Sequence, residues 1–241
     1  PKSVFQLNGY LKRLVPYLFA EFQRPDLQFD LDVKSATCDI AEIVDLANSQ
    51  TSDEPQAKQV SNKSGSYIGA MNGDVTITMD KFKHGDINGT DFNGHLTFFN
   101  NSILIQGGAK GMKGTFDLEG MLTRKGSRDQ IEAKIVCNKV DVNTFFKQTH
   151  DFGQNTLQAK NLKGRLNSQL LINGNWNSDG SFNRKGMKVY GNAQILNGEL
   201  IDLELMDNFS SYVNAADLKH IKFGSLDNYF EIKNEVIHIP A

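Results

Sequence analysis

The sequence predicts a mainly antiparallel β protein with a few helices. Apolar residues alternate with polar ones in several segments, which is the period expected of strands with one buried face. Asn is followed by Gly six times, and this pair between such segments predicts a hairpin turn because both residues tolerate positive φ. Only three stretches have the spacing of amphipathic helices. The predicted Asn-Gly turns begin at Asn8, Asn72, Asn88, Asn93, Asn173 and Asn197.

Length and composition indicate a globular chain with a real core. The 241 residues are 39% apolar and 22% charged, and we treat residues 1–241 as a single domain that belongs to a longer protein. A net charge of −2 argues against nucleic acid as a partner. The longest apolar run, residues 14–20, contains Pro16 and is far shorter than the roughly 20 residues that span a bilayer.

The first element is predicted to be an amphipathic helix within residues 1–24. Leu7, Leu11, Leu14, Leu18 and Phe22 fall on one helical stripe, and Pro16 should kink or split it. Such a helix could lie on a membrane, but a single apolar stripe more often packs on a sheet.

A second helix and a loop should follow the first strand. Asp39 precedes a helical pattern and Glu42 comes three residues later, which is a capping-box arrangement. Residues 50–66 are polar and indicate a long mobile loop. The third helical stripe consists of Ile201, Leu205, Phe209, Tyr212 and Val213.

The predicted strands are spread along the rest of the chain. Their alternating residues run from Leu27 to Val33, Val75 to Met79, Phe116 to Leu122, Ile131 to Cys137, Phe230 to Ile232 and Ile237 to Ile239. Gly107, Gly108, Gly111 and Gly114 resemble a phosphate loop, but a strand pattern follows them, so we assign them to a turn or bulge between strands.

One supersecondary unit occurs twice in the sequence. An alternating strand leads to Asp39 and a short helical pattern, and the same order recurs at Asp141, 102 residues later. The two cysteines, Cys38 and Cys137, lie near these two junctions, which favours two separate thiols over one disulfide.

Signals for catalysis and for metal binding are weak. No histidine has another histidine or a cysteine at ligand spacing, so neither a metal nor another cofactor is expected. No Gly-x-Ser-x-Gly elbow occurs. Asp30 and Asp32 should lie on the solvated face of a strand. Trp176, the only tryptophan, could stack on a sugar or cover a sheet edge.

Two long stretches resemble the C-terminal region of the AsmA family. Residues 75–122 have its order of alternating strands, polar connections and a Gly-rich step into a further strand. Residues 131–213 contain the similar motifs KVDVNTFF, LKGRLNSQLLI and AQILNGELIDL. The closing segment FEIKNEVI is similar to the family's last hairpin, except that Glu235 stands where Gly is usual.

This resemblance implies a periplasmic protein anchored in the inner membrane in its full-length form. The family is similar to the bridge-like lipid-transfer proteins, in which a curved, twisted antiparallel sheet forms a groove or half-barrel with an apolar inner face. It is tied to outer-membrane assembly and to phospholipid transport between membranes, and it offers no catalytic residue to transfer.

The leading hypothesis is therefore a non-enzymatic envelope protein that holds phospholipid acyl chains on an apolar sheet face. The candidate inward residues, which could equally be ordinary core residues, are Val75, Ile77, Met79, Leu96, Phe98, Phe116, Leu118 and Leu122. The alternative is a structural or protein-interaction module of the envelope without bound lipid, which contacts assembly proteins through a sheet edge or the N-terminal helix. A sugar-binding or sugar-cleaving protein would need an open cleft with clustered carboxylates near Trp176.

Overall fold

The protein is mainly β, as predicted. The structure is a computed structural model, and it describes residues 3–19, 26–49, 70–126, 128–153, 155–177, 181–202 and 219–239. The strands are β1 (Gln6–Lys12), β2 (Leu27–Ser35), β3 (Cys38–Asp39), β4 (Met71–His84), β5 (Ile87–Phe99), β6 (Ser102–Gly111), β7 (Gly114–Lys125), β8 (Arg128–Asp141), β9 (Leu162–Asn175), β10 (Lys188–Ile201), β11 (His220–Lys233) and β12 (Val236–His238). The helices are α1 (Leu14–Leu18), α2 (Ile40–Ser49) and α3 (Val142–Gln148), with short 3₁₀ turns at His150–Gly153 and Ala159–Asn161.

The strands form one sheet whose order follows the chain. The order is β1-β2-β4-β5-β6-β7-β8-β9-β10-β11-β12, and β3 pairs with β4 beside this path. Neighbouring strands such as β4 and β5 or β10 and β11 are antiparallel. The pairs β2-β4 and β3-β4 are parallel, because α2 lies between them in the chain and a parallel return needs a long connection. The predicted antiparallel sheet with few helices is confirmed, with this parallel step inside it.

Two compact units make up the predicted single domain. The first consists of Pro1–Gly107, Glu119–Ile131 and Asn175–Phe182. The second consists of Gly108–Leu118, Glu132–Gly174 and Asn183–Ala241. Each unit has its own buried cluster, and each is described separately below.

The predicted hairpin turns at Asn-Gly are wrong. All six Asn-Gly pairs lie inside strands β1, β4, β5, β9 and β10. The tight turns are instead made by Asn100-Asn101, Met112-Lys113 and Asn234-Glu235, in which both residues have positive φ, the geometry that matches the twist of a hairpin. Glu235 thus takes a left-handed conformation without glycine.

The glycines of these pairs serve close approach within the sheet. A Cβ on Gly73 would lie 2.0 Å from the carbonyl oxygen of Phe29, and a Cβ on Gly198 would lie 2.1 Å from the ring of Phe223. A strand glycine that leaves room for a neighbouring backbone or aromatic ring is a known use of the residue. Asn197, with φ 49°, lies where the register between β9 and β10 shifts.

The predicted N-terminal helix is also wrong for most of its length. Gln6–Lys12 form strand β1, and only Leu14–Leu18 are helical. Leu7 and Leu11 are four residues apart, a spacing that fits one face of a strand as well as one face of a helix. Gly9 decides against the helix, because its φ is 133° and the Asp30 carbonyl approaches it closely in the pairing with β2.

The other helix predictions have different outcomes. Helix α2 begins directly after Asp39, as predicted. Pro16 lies in the first turn of α1, where a missing N–H breaks no intrahelical hydrogen bond. Of the third predicted stripe, Ile201 ends β10, while its other members lie outside the described residues. The polar segment 50–66 also lies outside them.

Among the described residues, each unit contains a buried hydrophobic cluster. In the first unit, Tyr17, Leu27 and Phe29 are buried, and Val75 and Phe98 pack against them. In the second unit, the buried residues Met112, Cys137 and Val140 contact the half-buried residues Phe116, Ile135, Phe145 and Leu166. The described cysteines are both free and buried, which agrees with the expectation that they do not pair.

Candidate functional site

The first unit contains a sheet face that is almost wholly apolar, which we call the apolar face. The register aligns Leu7 with Val33, Val33 with Ile77, and Ile77 with Gly94, so β1, β2, β4 and β5 present these residues on one side. Its apolar members are Leu7, Gly9, Leu11, Leu27, Phe29, Leu31, Val33, Met71, Gly73, Val75, Ile77, Met79, Phe92, Gly94, Leu96 and Phe98, and the buried Ser35, opposite Met79, is a polar member.

The opposite side of the same four strands is polar. The residues between those of the apolar face include Asp30, Asp74, Thr76 and His95. The Asp74 carboxylate accepts a hydrogen bond from Thr97 Oγ1 at 2.7 Å, and the Nε2 atom of His95 lies 3.0 Å from it. The four strands therefore have one face suited to water and one that must be covered by apolar groups.

One end of the apolar face belongs to the protein core. There, Leu27 and Phe29 of the face are buried in one cluster with Tyr17. The rings of Phe29 and Phe98 meet edge to face at 5.2 Å between centroids. Two of the predicted lipid-contacting residues, Val75 and Phe98, pack against this cluster. At these two positions an ordinary core role accounts for the residue type.

The other predicted residues of the face remain partly open. Ile77, Met79 and Leu96 are half-buried, and they lie outside the buried cluster. Gly94 faces Ile77 in the register and is itself covered by the Phe92 ring. Leu122 of β7 is also half-buried and belongs to the first unit. These four apolar side chains keep accessible surface that an apolar ligand could cover.

The last two predicted residues lie in the second unit. Phe116 packs against the buried Met112, Cys137 and Val140, so its residue type is explained by the core of that unit. Leu118 is half-buried on the same strand, two residues further on. The structure thus places Val75, Ile77, Met79, Leu96 and Phe98 together on one face by register, and Phe116 within a different cluster.

The sequence interpretation missed half of the apolar face. It assigned no partner to the alternating residues of β2, because the parallel pairing of β2 with β4 joins residues separated by a helix and a long connection. It also read Leu7 and Leu11 as helical. The signal for β2 was its own period of two, which pointed to a buried face without showing which strand adjoins it.

The carboxylates predicted to be solvated are so. Asp30 is exposed, and Asp32 is bonded to Lys34 at 2.9 Å on the polar side. The ring of Trp176 packs edge to face on Phe182 at 5.1 Å, and its backbone N–H donates to the Asp129 carbonyl. The Asp129 carboxylate pairs with Arg124 at 3.0 Å. The carboxylate of Asp129, whose backbone bonds to Trp176, is therefore held in a salt bridge.

A group of charges in the second unit surrounds Glu199. Its carboxylate contacts Lys163 at 2.9 Å, His220 at 3.0 Å and Lys222 at 3.7 Å. The hydrogen bonds from Lys163 and His220 lower the pKa of Glu199 to about 2. A carboxylate held ionised in this way accepts no proton near neutral pH, so it is a poor general acid.

Neither a metal cluster nor a membrane-spanning helix is found in the described part of the chain. No three His, Cys, Asp or Glu side chains there are grouped closely enough to hold a metal ion. None of the helices described is both long and apolar enough to cross a bilayer.

Comparisons with known proteins give no match: no protein-family model, no curated protein and no solved structure is detectably similar to this chain. The resemblance to the AsmA family therefore stays a prediction.

Proposed function

We propose that this protein is a non-enzymatic component of the bacterial cell envelope that holds phospholipid acyl chains on its apolar face. The observation that carries the proposal is the one-sidedness of β1, β2, β4 and β5, in which apolar residues occupy one face and polar residues the other. On this proposal the chain works in the periplasm in outer-membrane assembly or phospholipid transport, and the full-length protein is anchored in the inner membrane, as the resemblance implies.

The physical basis is burial of hydrocarbon without directional chemistry. Each methylene that leaves water contributes roughly 0.8 kcal/mol, so an acyl chain needs only a continuous apolar surface. The half-buried side chains of Ile77, Met79 and Leu96 offer such a surface beside the covered end of the face. The polar side of the strands has hydrogen-bonded groups such as Asp74 and Thr97 that water can solvate.

The first test is mass spectrometry of an organic extract of the purified chain, beside a protein of similar size purified in the same way. We expect phospholipid in near-stoichiometric amount from this chain and only traces from the control. An extract without phospholipid would contradict binding by this chain alone.

The second test uses a matched pair of substitutions. Ile77→Asp places a charge on the apolar face, and Thr78→Asp places the same charge on the opposite side of the same strand. We expect Ile77→Asp to abolish lipid retention and Thr78→Asp to leave it unchanged, with both proteins folded by circular dichroism. If Ile77→Asp unfolds, the milder Ile77→Ser and a phospholipid with a photoreactive acyl chain replace it, and crosslinks should map to Ile77, Met79 or Leu96.

A second candidate function has its own supporting observation. Strand β1 ends the sheet, all seven of its residues are exposed, and Lys12 is its only charged residue. An edge with few charges favours pairing with another strand, so β1 could dock a further copy or an assembly protein. We expect Leu7→Lys to reduce concentration-dependent association in sedimentation, while the control Met121→Lys, at an exposed position of the inner strand β7, leaves it unchanged.

A further inference from the structure

The second unit contains an open pocket that the apolar face does not involve. It has a volume of about 490 Å³ and lies on β9, β10 and β11, with β12 and the following residue at one side. The lining consists of Gln169, Leu171, Tyr190, Gly191, Asn192, Tyr229, Phe230, Glu231, His238 and Ile239.

Two adjacent cross-strand rows build most of this pocket. In one row, Tyr190 of β10 faces Leu171 and Glu231, and Glu231 faces His238. In the next row, Asn192 lies between Gln169 and Tyr229. These residues share one side of the sheet because paired residues point the same way and each strand alternates with a period of two.

Two aromatic side chains on these rows are unusually open to solvent. Tyr190 is 44% exposed and Tyr229 is 70% exposed. Leu171 and Ile239 add further exposed apolar surface beside them. Exposed tyrosines next to a concave surface offer a flat apolar ring to a ligand, and Tyr190 also contacts the Glu231 carboxylate through its hydroxyl group.

The polar groups of the pocket are fixed in place but have spare hydrogen-bonding capacity. The Oδ1 atom of Asn192 accepts a hydrogen bond from the backbone N–H of Gln169 at 2.8 Å, which orients the amide. Within the described part of the chain, neither Asn192 Nδ2 nor the side-chain amide of Gln169 has a hydrogen-bond partner. Both amides can therefore bond to hydroxyl groups of a ligand.

The one carboxylate of the pocket lining is compensated by a neighbouring lysine. Glu231 is paired with Lys233, whose Nζ also lies 5.7 Å from the centre of the Tyr190 ring. The His238 ring nitrogens can also take part in hydrogen bonds. A phosphate would find no free lysine or arginine in this lining, and a cation would find no free carboxylate.

We propose that this pocket binds a neutral saccharide. A pyranose has an apolar face of C–H groups, which fits an exposed tyrosine ring, and an edge of hydroxyl groups, which fits the two amides and the Glu231 carboxylate. The sugar could be a free oligosaccharide or the headgroup of a glycolipid, since the recognising chemistry is the same. This site is distinct from the apolar face and does not depend on lipid binding there.

The test is a titration of the ¹⁵N-labelled chain with maltotriose, cellotriose and chitotriose, followed by amide chemical shifts. We expect at least one of the three to bind with a millimolar dissociation constant, typical of small open sites, and to shift the amides of Gln169, Tyr190, Asn192 and Tyr229. Tyr229→Ala and Asn192→Ala should each weaken this binding tenfold or more. Tyr10→Ala, an exposed tyrosine of the first unit, is the control and should leave it unchanged.

The outcomes separate the sugar from other ligands and from the proposed function. No shift with any of the three sugars together with no binding to vesicles that contain a galactosyl diglyceride would overturn the proposal, as would shifts that persist in Tyr229→Ala and Asn192→Ala proteins that are still folded. Binding to vesicles only when they contain a galactosyl diglyceride supports a headgroup source, and binding of the free trisaccharide alone supports a soluble one. Ile77→Asp should leave the sugar titration unchanged, so failure of the apolar-face proposal and failure of this one are distinguishable.

Discussion

The two strand-to-helix junctions, one in each compact unit, share a design and differ in how the helix is capped. Strand β3 leads through Asp39 into α2, and β8 leads through Asp141 into α3. The residue before each aspartate is fully buried, Cys38 in the first unit and Val140 in the second. A residue three positions earlier is also buried in both, Ser35 and Cys137. The sequence echo over 102 residues thus corresponds to an echo in packing.

The ion pairs of the two junctions are also similar. Asp39 pairs with Lys83 at 2.9 Å, and Asp141 contacts Lys113 at 3.5 Å. In each case the lysine follows an apolar residue on a neighbouring strand or turn, Phe82 or Met112. A lysine beside an N-cap aspartate keeps the carboxylate ionised, which suits the positive end of the helix dipole.

The caps themselves differ. Asp141 accepts hydrogen bonds from the backbone N–H of Thr144 at 2.9 Å and from its hydroxyl at 2.6 Å, so α3 is capped by its own sequence. Asp39 accepts from Ala41, while its own N–H donates to Ser3 Oγ and the N–H of Ser3 donates to Glu42. The predicted reciprocal capping box at α2 is therefore wrong: Asp39 caps Ala41, and Ser3, 36 residues from Asp39, stands between Asp39 and Glu42. Similar strand-to-helix sequences can therefore have their free backbone and side-chain hydrogen-bonding groups bonded locally, as at α3, or by a distant segment, as at α2.

The largest expected effect on stability comes from the fully buried residue before each aspartate, Cys38 in one junction and Val140 in the other. Val140→Ala should lower the free energy of unfolding by about 2–3 kcal/mol, because it removes two fully buried methyl groups and leaves a cavity. Cys38→Ala should cost less, about 1 kcal/mol, because only one heavy atom is lost. Denaturant unfolding measures both, and the exposed Val236→Ala, expected to change stability by less than about 0.5 kcal/mol, is the control. Equal costs at Val140 and Val236 would show that burial of Val140 adds nothing to stability.

The next effect separates the local cap from the distant one. Asp141→Ala should cost about 1 kcal/mol because the first-turn N–H of Thr144 loses its acceptor. Asp141→Asn should retain most of that stability, since Asn is an equally good N-cap. Ser3→Ala should destabilise α2 and leave α3 unaffected.

Amide hydrogen exchange in α2 and α3 measures how each substitution changes the stability of each helix. Faster exchange at Ile40–Ser49 with unchanged exchange at Val142–Gln148 is expected for Ser3→Ala. The reverse pattern is expected for Asp141→Ala. Equal protection of α2 in Ser3→Ala and in the parent chain would show that Ser3 adds nothing to the cap.

The junctions also show how far the sequence predicts this fold. The strand, the aspartate and the start of each helix follow from residues close together in the chain, and these predictions are confirmed. The role of Ser3, the strand at Leu7 and Leu11, and the parallel pairing of β2 with β4 depend on residues far apart. Local patterns carry little information on such pairings, so these features were missed or wrongly predicted.

The candidate site was likewise predicted in part from local patterns, while the rest depends on residues far apart in the chain. The sequence analysis placed Val75, Ile77 and Leu96 among the candidate inward residues, and the register brings these three onto one face. It could not separate the core-packed Val75 and Phe98 from the more open Ile77, because that depends on Tyr17 in another element. No sequence motif marks the pocket at Tyr190 and Tyr229, because its lining residues come from three separate strands.

Acid should weaken both junctions through their aspartates. The hydrogen bond from Lys83 lowers the pKa of Asp39. Burial opposes ionisation of Asp141, but the hydrogen bonds from Thr144 outweigh it, and its pKa is also lowered. A lowered pKa means that each carboxylate stabilises the fold above its unfolded pKa of about 3.9 and loses this contribution as pH falls through the folded value.

The measurement is unfolding of the parent chain and of Asp141→Asn between pH 6 and pH 3. The parent should be the more stable of the two at pH 6, and the difference should shrink as pH falls below about 4. A difference that grows on acidification would mean that the Asp141 carboxylate is destabilising in the folded chain. Val236→Ala, at an exposed position that carries no titratable group, provides a control whose pH profile should follow that of the parent.

The smallest expected effect is on the reactivity of the two thiols, which differ in their surroundings. Burial raises the pKa of Cys137 to about 11, and burial together with the charges of Asp39 and Glu42 raises the pKa of Cys38. Since the thiolate is the reactive form, neither cysteine should react with a disulfide reagent in the folded chain at pH 8, and both should react in denaturant. Ser225→Cys, at an exposed position of β11, should add one fast-reacting thiol to the folded protein. Fast reaction of Cys38 alone would show that the first junction opens more readily than the second, because α2 relies on the distant Ser3 for its cap.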